Sequence, residues 1–177
     1  MNSLLRQTLW ITGFLLVIIV HISIISTIPW LQQSFNTLFI LSALLVILGL
    51  EKRGIVLALF GGYVVDLYSS GPFGIFLFSY TVAIIALILL QRYVFKQFAP
   101  HTAAINTVLA SIIFYIISGI LIATSVTVGS LTIQSTTTST YFWNAFQATS
   151  VHVVIVTLLF LFYRLLKVKL IHTPYGR

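Results

Sequence analysis

Residues 61–74 read Gly61-Gly62-Tyr63-Val64-Val65-Asp66-Leu67-Tyr68-Ser69-Ser70-Gly71-Pro72-Phe73-Gly74, and they hold the one acidic residue that does not stand beside a basic run. Asp66 lies between two apolar segments. A lone carboxylate beside sequence long enough to meet hydrocarbon is costly, so it marks either a site or a structural lock. The Gly71-Pro72-Phe73-Gly74 turn ends one helix and lets Pro72 stand near the start of the next. That arrangement brings Asp66 to a helix start, where exposed N–H groups around Gly74 and Ile75 would favour its charge.

Outward from this stretch the composition dictates the solvent. The 177 residues are 59% hydrophobic and 6% charged. A water-soluble domain of that size could not hide so much apolar surface. Lipid must be the solvent, which requires every backbone group to be paired internally, and the long unbroken apolar runs select helices over a barrel. Cysteine is absent, which removes disulfides, thiol nucleophiles and thiolate metal sites.

Residues 9–28, 75–94, 103–126 and 145–166 each hold at least 20 residues, enough at about 1.5 Å per residue for a core of about 30 Å. Two shorter apolar pieces, 35–50 and 55–67, flank Glu51-Lys52-Arg53-Gly54. They read as two short crossings or as a hairpin that dips in, and both return the chain to the same side. The expectation is one all-α polytopic membrane domain over 1–177 with six spans. Every Lys and Arg then sorts to one side: Arg6, Lys52, Arg53, Arg92, Lys96, Arg164, Lys167, Lys169 and Arg177. By the positive-inside rule both termini are cytoplasmic. Trp30, Tyr68, Tyr141 and Trp143 fall at the outer ends and Trp10, Tyr93 and Tyr163 at the inner ends, where amphipathic rings anchor. The first span is longer than a signal-peptide core and lacks a small-residue cleavage pattern, so it reads as an uncleaved anchor. The net charge of +7 is thereby a topology signal, and nucleic acid is not an expected partner.

Reactive groups are scarce: two acids, four His and no Cys. Glu51 and Asp66 lie about 22 Å apart along a helix and cannot act as a pair. No catalytic residue, cofactor or metal ligand is expected, and an enzyme is not. His21 and His152 read as neutral histidines hydrogen-bonded between helices, with a mutual pair as the sharper alternative. Ala58, Gly62 and Asp66 recur every four residues, as do Ala103, Thr107 and Ser111, so each set offers a face for packing or for a partner helix. The segment 127–142 is uncharged, hydroxyl-rich and read as an outer connection, whose Val128, Leu131 and Ile133 could lie on the membrane surface.

Lys52-Arg53-Gly54, then Gly61-Gly62, then Asp66-Leu67-x-Ser69-x-x-Pro72-x-Gly74 resembles the rod shape-determining membrane protein family MreD. The likeness covers the whole chain in length and expected spans. It departs at Phe35-Asn36-Thr37, where the family often carries a Pro, and at Ile75-Phe76-Leu77-Phe78, where the family is Ala-rich. The resemblance implies a non-enzymatic component of the bacterial cell-elongation complex in the inner (plasma) membrane, required for rod shape and lateral peptidoglycan synthesis. Its implied partners are the bitopic scaffold MreC and, through it, the MreB filament and peptidoglycan synthases, with Gly61, Gly62, Asp66, Pro72 and Gly74 carrying the motif. The six-span architecture is also similar to the substrate-binding subunit of energy-coupling factor vitamin transporters. Those subunits tend to carry an Ala-x-x-x-Ala docking pattern in the first span, and here the first Ala is Ala43. Under that alternative, Asp66, Tyr63, Tyr80 and Tyr115 would line an outward-facing ligand pocket.

Overall fold

A computed structural model describes residues 3–20, 23, 36–69, 72–95, 99–127 and 138–171. Among these residues the chain forms six helices, α1 (Ser3–Val20), α2 (Thr37–Ile47), α3 (Glu51–Tyr68), α4 (Ile75–Tyr93), α5 (Pro100–Thr127) and α6 (Thr138–Ile171). No strand occurs among the described residues. Within α4, α5 and α6 the segments Ile75–Tyr93, Pro100–Ser125 and Phe142–Leu165 are long and apolar enough to cross a bilayer. This is an all-helical membrane protein.

Several boundaries differ from the expected spans. Glu51-Lys52-Arg53-Gly54 is the first turn of α3 rather than the connection before it. A carboxylate there suits the positive end of the helix dipole, so the charges belong to a helix start. The fifth and sixth helices extend beyond 103–126 and 145–166 at both ends: α5 opens on Pro100, whose fixed φ suits the first helical position, and Thr138-Ser139-Thr140 brings no Pro or Gly to stop α6. Part of the expected outer connection is therefore the first turn of α6. Val128, Leu131 and Ile133 lie outside the described residues, as does the 24–28 end of the expected first span.

α2 is the centre of the bundle. It has only 11 residues, about 16 Å of helix, roughly half a bilayer core. It touches all five other helices, and nine of its residues are buried, from Leu38 through Ile47 with Leu41 only partly covered. A helix apolar on every side is one that protein surrounds on every side. Its shortness follows from the same fact, since it packs inside the bundle instead of reaching through lipid alone.

α2 turns into α3 through Gly49, whose φ of +81° is left-handed. The N–H groups of Leu48, Gly49 and Leu50 return to Leu44, Val46 and Leu45 carbonyls at 2.8–2.9 Å, closing the helix end in the manner of a left-handed glycine cap. α3 then lies tight on α2. A Cβ at Gly54 would stand 2.5 Å from Val46 Cγ2, and one at Gly61 would stand 3.0 Å from Leu38 Cβ. Ala58 between them is fully buried. α3 also packs on α4, α4 on α5, and α5 on α6.

Phe39 of α2 is the aromatic hub. Its ring lies 5.6 Å from Tyr80 at 87°, 5.3 Å from Phe114 and 5.5 Å from His152. Edge-on and tilted contacts of this kind add roughly 0.5–1.5 kcal/mol each beyond the area they bury. One side chain thus joins α2 to α4, α5 and α6.

Candidate functional site: a carboxylate-capped helix junction

α4 begins after Gly74, whose φ of +103° is open to glycine and costly for other residues, and which has no side chain to cap the helix. Asp66 of α3 supplies the cap instead. Its Oδ1 accepts from the Phe76 N–H at 2.9 Å and its Oδ2 from the Leu77 N–H at 2.8 Å. With Gly74 as the cap position these are the second and third residues of α4, the two groups that an ordinary capping side chain would serve. The sequence expectation aimed the carboxylate at Gly74 and Ile75. It reaches one turn-step further in, because the α3 backbone runs beside the first turn of α4 rather than above its end.

That approach depends on Gly62, one turn before Asp66. A Cβ at Gly62 would stand 2.6 Å from Leu77 Cα and 3.0 Å from Leu77 N and Phe76 O. Without a side chain the backbones close up, and the short Asp66 side chain can then span the gap. At its own end, α3 is finished by Ser69, whose N–H reaches the Val65 carbonyl at 2.9 Å and whose hydroxyl donates to the Asp66 carbonyl at 3.1 Å. Pro72 is half-buried in the turn, and Phe73 is exposed edge-on to Tyr63 at 5.7 Å. Asp66 itself is only 3% exposed. Both carboxylate oxygens are engaged by donors from the same chain, which is the arrangement of a structural anion.

Of the side chains considered for a ligand pocket, Tyr80 and Tyr115 both pack on Phe114, and Tyr63 stands apart. Tyr63 is 45% exposed on the outside of α3, whereas Tyr80 is fully buried against Phe39 and Phe114. Tyr115 packs on Phe114 and lines an apolar groove of about 650 Å³ between α5 and α6, with Ile112, Ala145, Phe146, Thr149 and Val153. Asp66 faces α4. No group of three or more His, Cys, Asp or Glu among the described residues could hold a metal ion.

A second polar contact lies deeper. The fully buried His152 of α6 faces Ser111 Oγ through Nδ1 at 3.4 Å, and its Nε2 accepts from the Asn36 N–H at 3.4 Å. Nε2 is therefore the unprotonated nitrogen and Nδ1 carries the proton in the neutral ring. His21 is outside the described residues, and the partners of His152 are Ser111 and Asn36. Asn36 was not singled out in the sequence, although Asn followed by an apolar run is a recognisable helix-start signal. Ala103, Thr107 and Ser111 are all buried within the chain, with the Thr107 hydroxyl donating to the Ala103 carbonyl at 2.8 Å. That face is taken up by the bundle.

At the opposite end from Asp66, Arg92 of α4 pairs with Glu51 of α3 through two guanidinium nitrogens, Nε and Nη2, with Nε lying 3.1 Å from Oε1. Arg53 lies over the Trp10 ring at 3.9 Å and ties α1 to α3. Gln91 Nε2 donates to the Ile47 carbonyl at 3.2 Å, closing the end of α2. The hydrogen bond from Arg92 holds the Glu51 carboxyl below its ordinary value of 4.5. A folded-state value below the unfolded one stabilises above pH 4.5 and loses that contribution as pH falls through the lowered value. The pair is largely exposed, with Arg92 59% accessible, so its contribution is small. Glu51→Gln is expected to lower the thermal midpoint slightly at neutral pH. The difference from the unsubstituted chain should vanish in acid below the lowered carboxyl value, as a pH series of melting curves in detergent would record.

No family model, curated protein sequence or solved structure matches the chain.

Proposed function

We propose that this chain is a six-crossing subunit of the bacterial cell-elongation complex, with both termini cytoplasmic, acting without catalysis by binding an MreC-like bitopic scaffold in the plasma membrane. The observation that carries the reading is the saturated Asp66 junction. The residues on which the resemblance to the MreD family rests, Gly62, Asp66 and Gly74, meet at a helix-to-helix lock in which each carboxylate oxygen already accepts a backbone N–H. A chain whose one buried carboxylate is used in this way works by presenting helix surfaces to other membrane proteins. The exposure of Tyr63, apart from the buried Tyr80 and Asp66, weighs against a vitamin pocket. Through the scaffold the subunit would act on the MreB filament and the lateral-wall synthases.

Co-purification from cross-linked membranes is the direct test. A bitopic cell-shape scaffold recovered with the chain, and rounding of rod-shaped cells on its depletion, are the expected results. Retention of rod shape after depletion, together with tight binding of a vitamin to the purified chain, would replace this reading with the transporter one.

A further inference from the structure

The charges in the first turn of α3 do not balance within the chain. The sequence holds nine Lys and Arg against two acids. Asp66 is 3% exposed and engaged at the other end of α3, and Glu51 pairs with Arg92 in the one ion pair among the described residues. No side-chain carboxylate is left for Lys52 or Arg53. Lys52 is exposed. Arg53 is half-buried, with its guanidinium held 3.9 Å over the Trp10 ring. The ring fixes where that cation stands and supplies it with no oxygen acceptor. Trp10 and, beside Arg92, Tyr93 are themselves exposed, as amphipathic rings are at the level where a bilayer's headgroups begin.

From Lys52 a stripe of large apolar side chains runs along the outside of α3. Val56, Leu59, Phe60, Tyr63 and Leu67 follow at helical spacing, each 40% exposed or more. Lys52 to Tyr63 covers about 16 Å of helix, roughly half a hydrocarbon core and so the depth of one leaflet. The stripe contains no small residue. Gly54, Ala58, Gly61 and Gly62 are all buried, with Gly54 and Gly61 against α2 and Gly62 against α4. Helices in a membrane approach one another over small residues, so a face built from large ones suits flexible hydrocarbon better than a second helix.

We propose that this side of α3 binds an anionic phospholipid of the phosphatidylglycerol kind, its phosphodiester between Lys52 and Arg53 and its acyl chains along Val56, Leu59, Phe60 and Tyr63. The negative headgroup answers two cations that no acid of the chain compensates, and a guanidinium offers paired N–H donors to phosphate oxygens. The site uses neither the Asp66 junction nor a scaffold, so it stands or falls apart from the function proposed above.

Trp10 reports on the site because it touches Arg53. The full chain with Trp30→Phe and Trp143→Phe keeps Trp10 as its one tryptophan. In phosphatidylcholine vesicles, phosphatidylglycerol brominated in its acyl chains is expected to quench Trp10 at a several-fold lower mole fraction than brominated phosphatidylcholine does. Lys52→Gln with Arg53→Gln should abolish that preference. Arg164→Gln with Lys167→Gln removes the same charge near the end of α6 and should leave it. Equal quenching by the two lipids, or equal loss from either charge pair, overturns the site. Trp10 shielded from both lipids would mean that a protein covers this face, and full competition by inorganic phosphate would mean a soluble anion; each overturns the lipid assignment. Should the single-tryptophan chain fail to fold, native mass spectrometry of the unsubstituted chain with equimolar phosphatidylglycerol and phosphatidylcholine decides: retention of phosphatidylglycerol several-fold over phosphatidylcholine supports the site, and equal retention overturns it.

Discussion

Asp66→Ala is expected to destabilise the chain by about 3–5 kcal/mol, because it leaves two buried N–H donors without an acceptor and removes a charge from a helix start. Each donor left unmet costs roughly 1–3 kcal/mol, and the lost charge–dipole term adds up to about 1 kcal/mol. Asp66→Asn separates the parts of this effect. An amide offers one oxygen, so one of the two bonds to Phe76 and Leu77 survives, while its NH2 group faces the other N–H. The expected loss is roughly half that of alanine. Asp66→Glu keeps the charge on a longer stem, which must crowd the space closed by Gly62. The order Asp, Asn, Ala in thermal midpoint, measured in mild detergent, identifies a cap. Asn as damaging as Ala would instead indicate that the negative charge itself is required. The proposed function adds a consequence: all three variants should lose scaffold co-purification in proportion to their stability, not independently of it.

How far this lock could be read in the sequence depended on what kind of signal each residue gives. Asp66 stood out because charge is rare in apolar sequence, and the Gly-Pro turn behind it placed a helix start within reach. Which N–H groups it serves was not legible, since that depends on how closely α3 and α4 approach. The apolar runs gave the helices, yet α2 and α3 have boundaries that follow from three-dimensional surroundings. Glu51 opens α3 and pairs with Arg92, although in the sequence it stood among Lys52 and Arg53 as one more interfacial charge. Pairing across 41 residues has no periodic trace. His152 shows the same limit from another direction. A buried histidine that seeks a partner was readable, but Asn36 lies 116 residues away.

The role of α2 itself was hinted at by the shortness of its apolar run. Its apolar stretch is too short to span with ease and has no polar side. In a surface helix that combination would be unstable; at the centre of five others it is what packing demands. In the sequence Ala58 and Gly62 formed one face with Asp66, and the division of the small residues of α3 between two partners was not legible. Gly54 and Gly61 face α2, whereas Gly62 faces α4, so adjacent glycines serve different helices.

Gly62→Ala is the sharpest test of that division, because the same substitution elsewhere in the chain should act with the opposite sign. Alanine is the better helix former by about 1 kcal/mol. At Gly13 of α1 an added Cβ meets nothing within 4 Å, so Gly13→Ala should stabilise by up to that amount. At Gly62 the new Cβ would lie 2.6 Å from a backbone atom, Leu77 Cα, and no side-chain rotation relieves the contact. α3 and α4 must part, at a cost of about 1–3 kcal/mol for overpacking that outweighs the propensity gain. Parting also lengthens the Asp66 bonds to Phe76 and Leu77, so the two positions are coupled. In a double-mutant cycle, Gly62→Ala should cost less in the Asp66→Ala background than in the unsubstituted chain, with an interaction of at least 0.5 kcal/mol. Strict additivity would mean that the carboxylate reaches α4 without help from the glycine. A stabilising Gly62→Ala would mean that the two backbones are not in contact there at all.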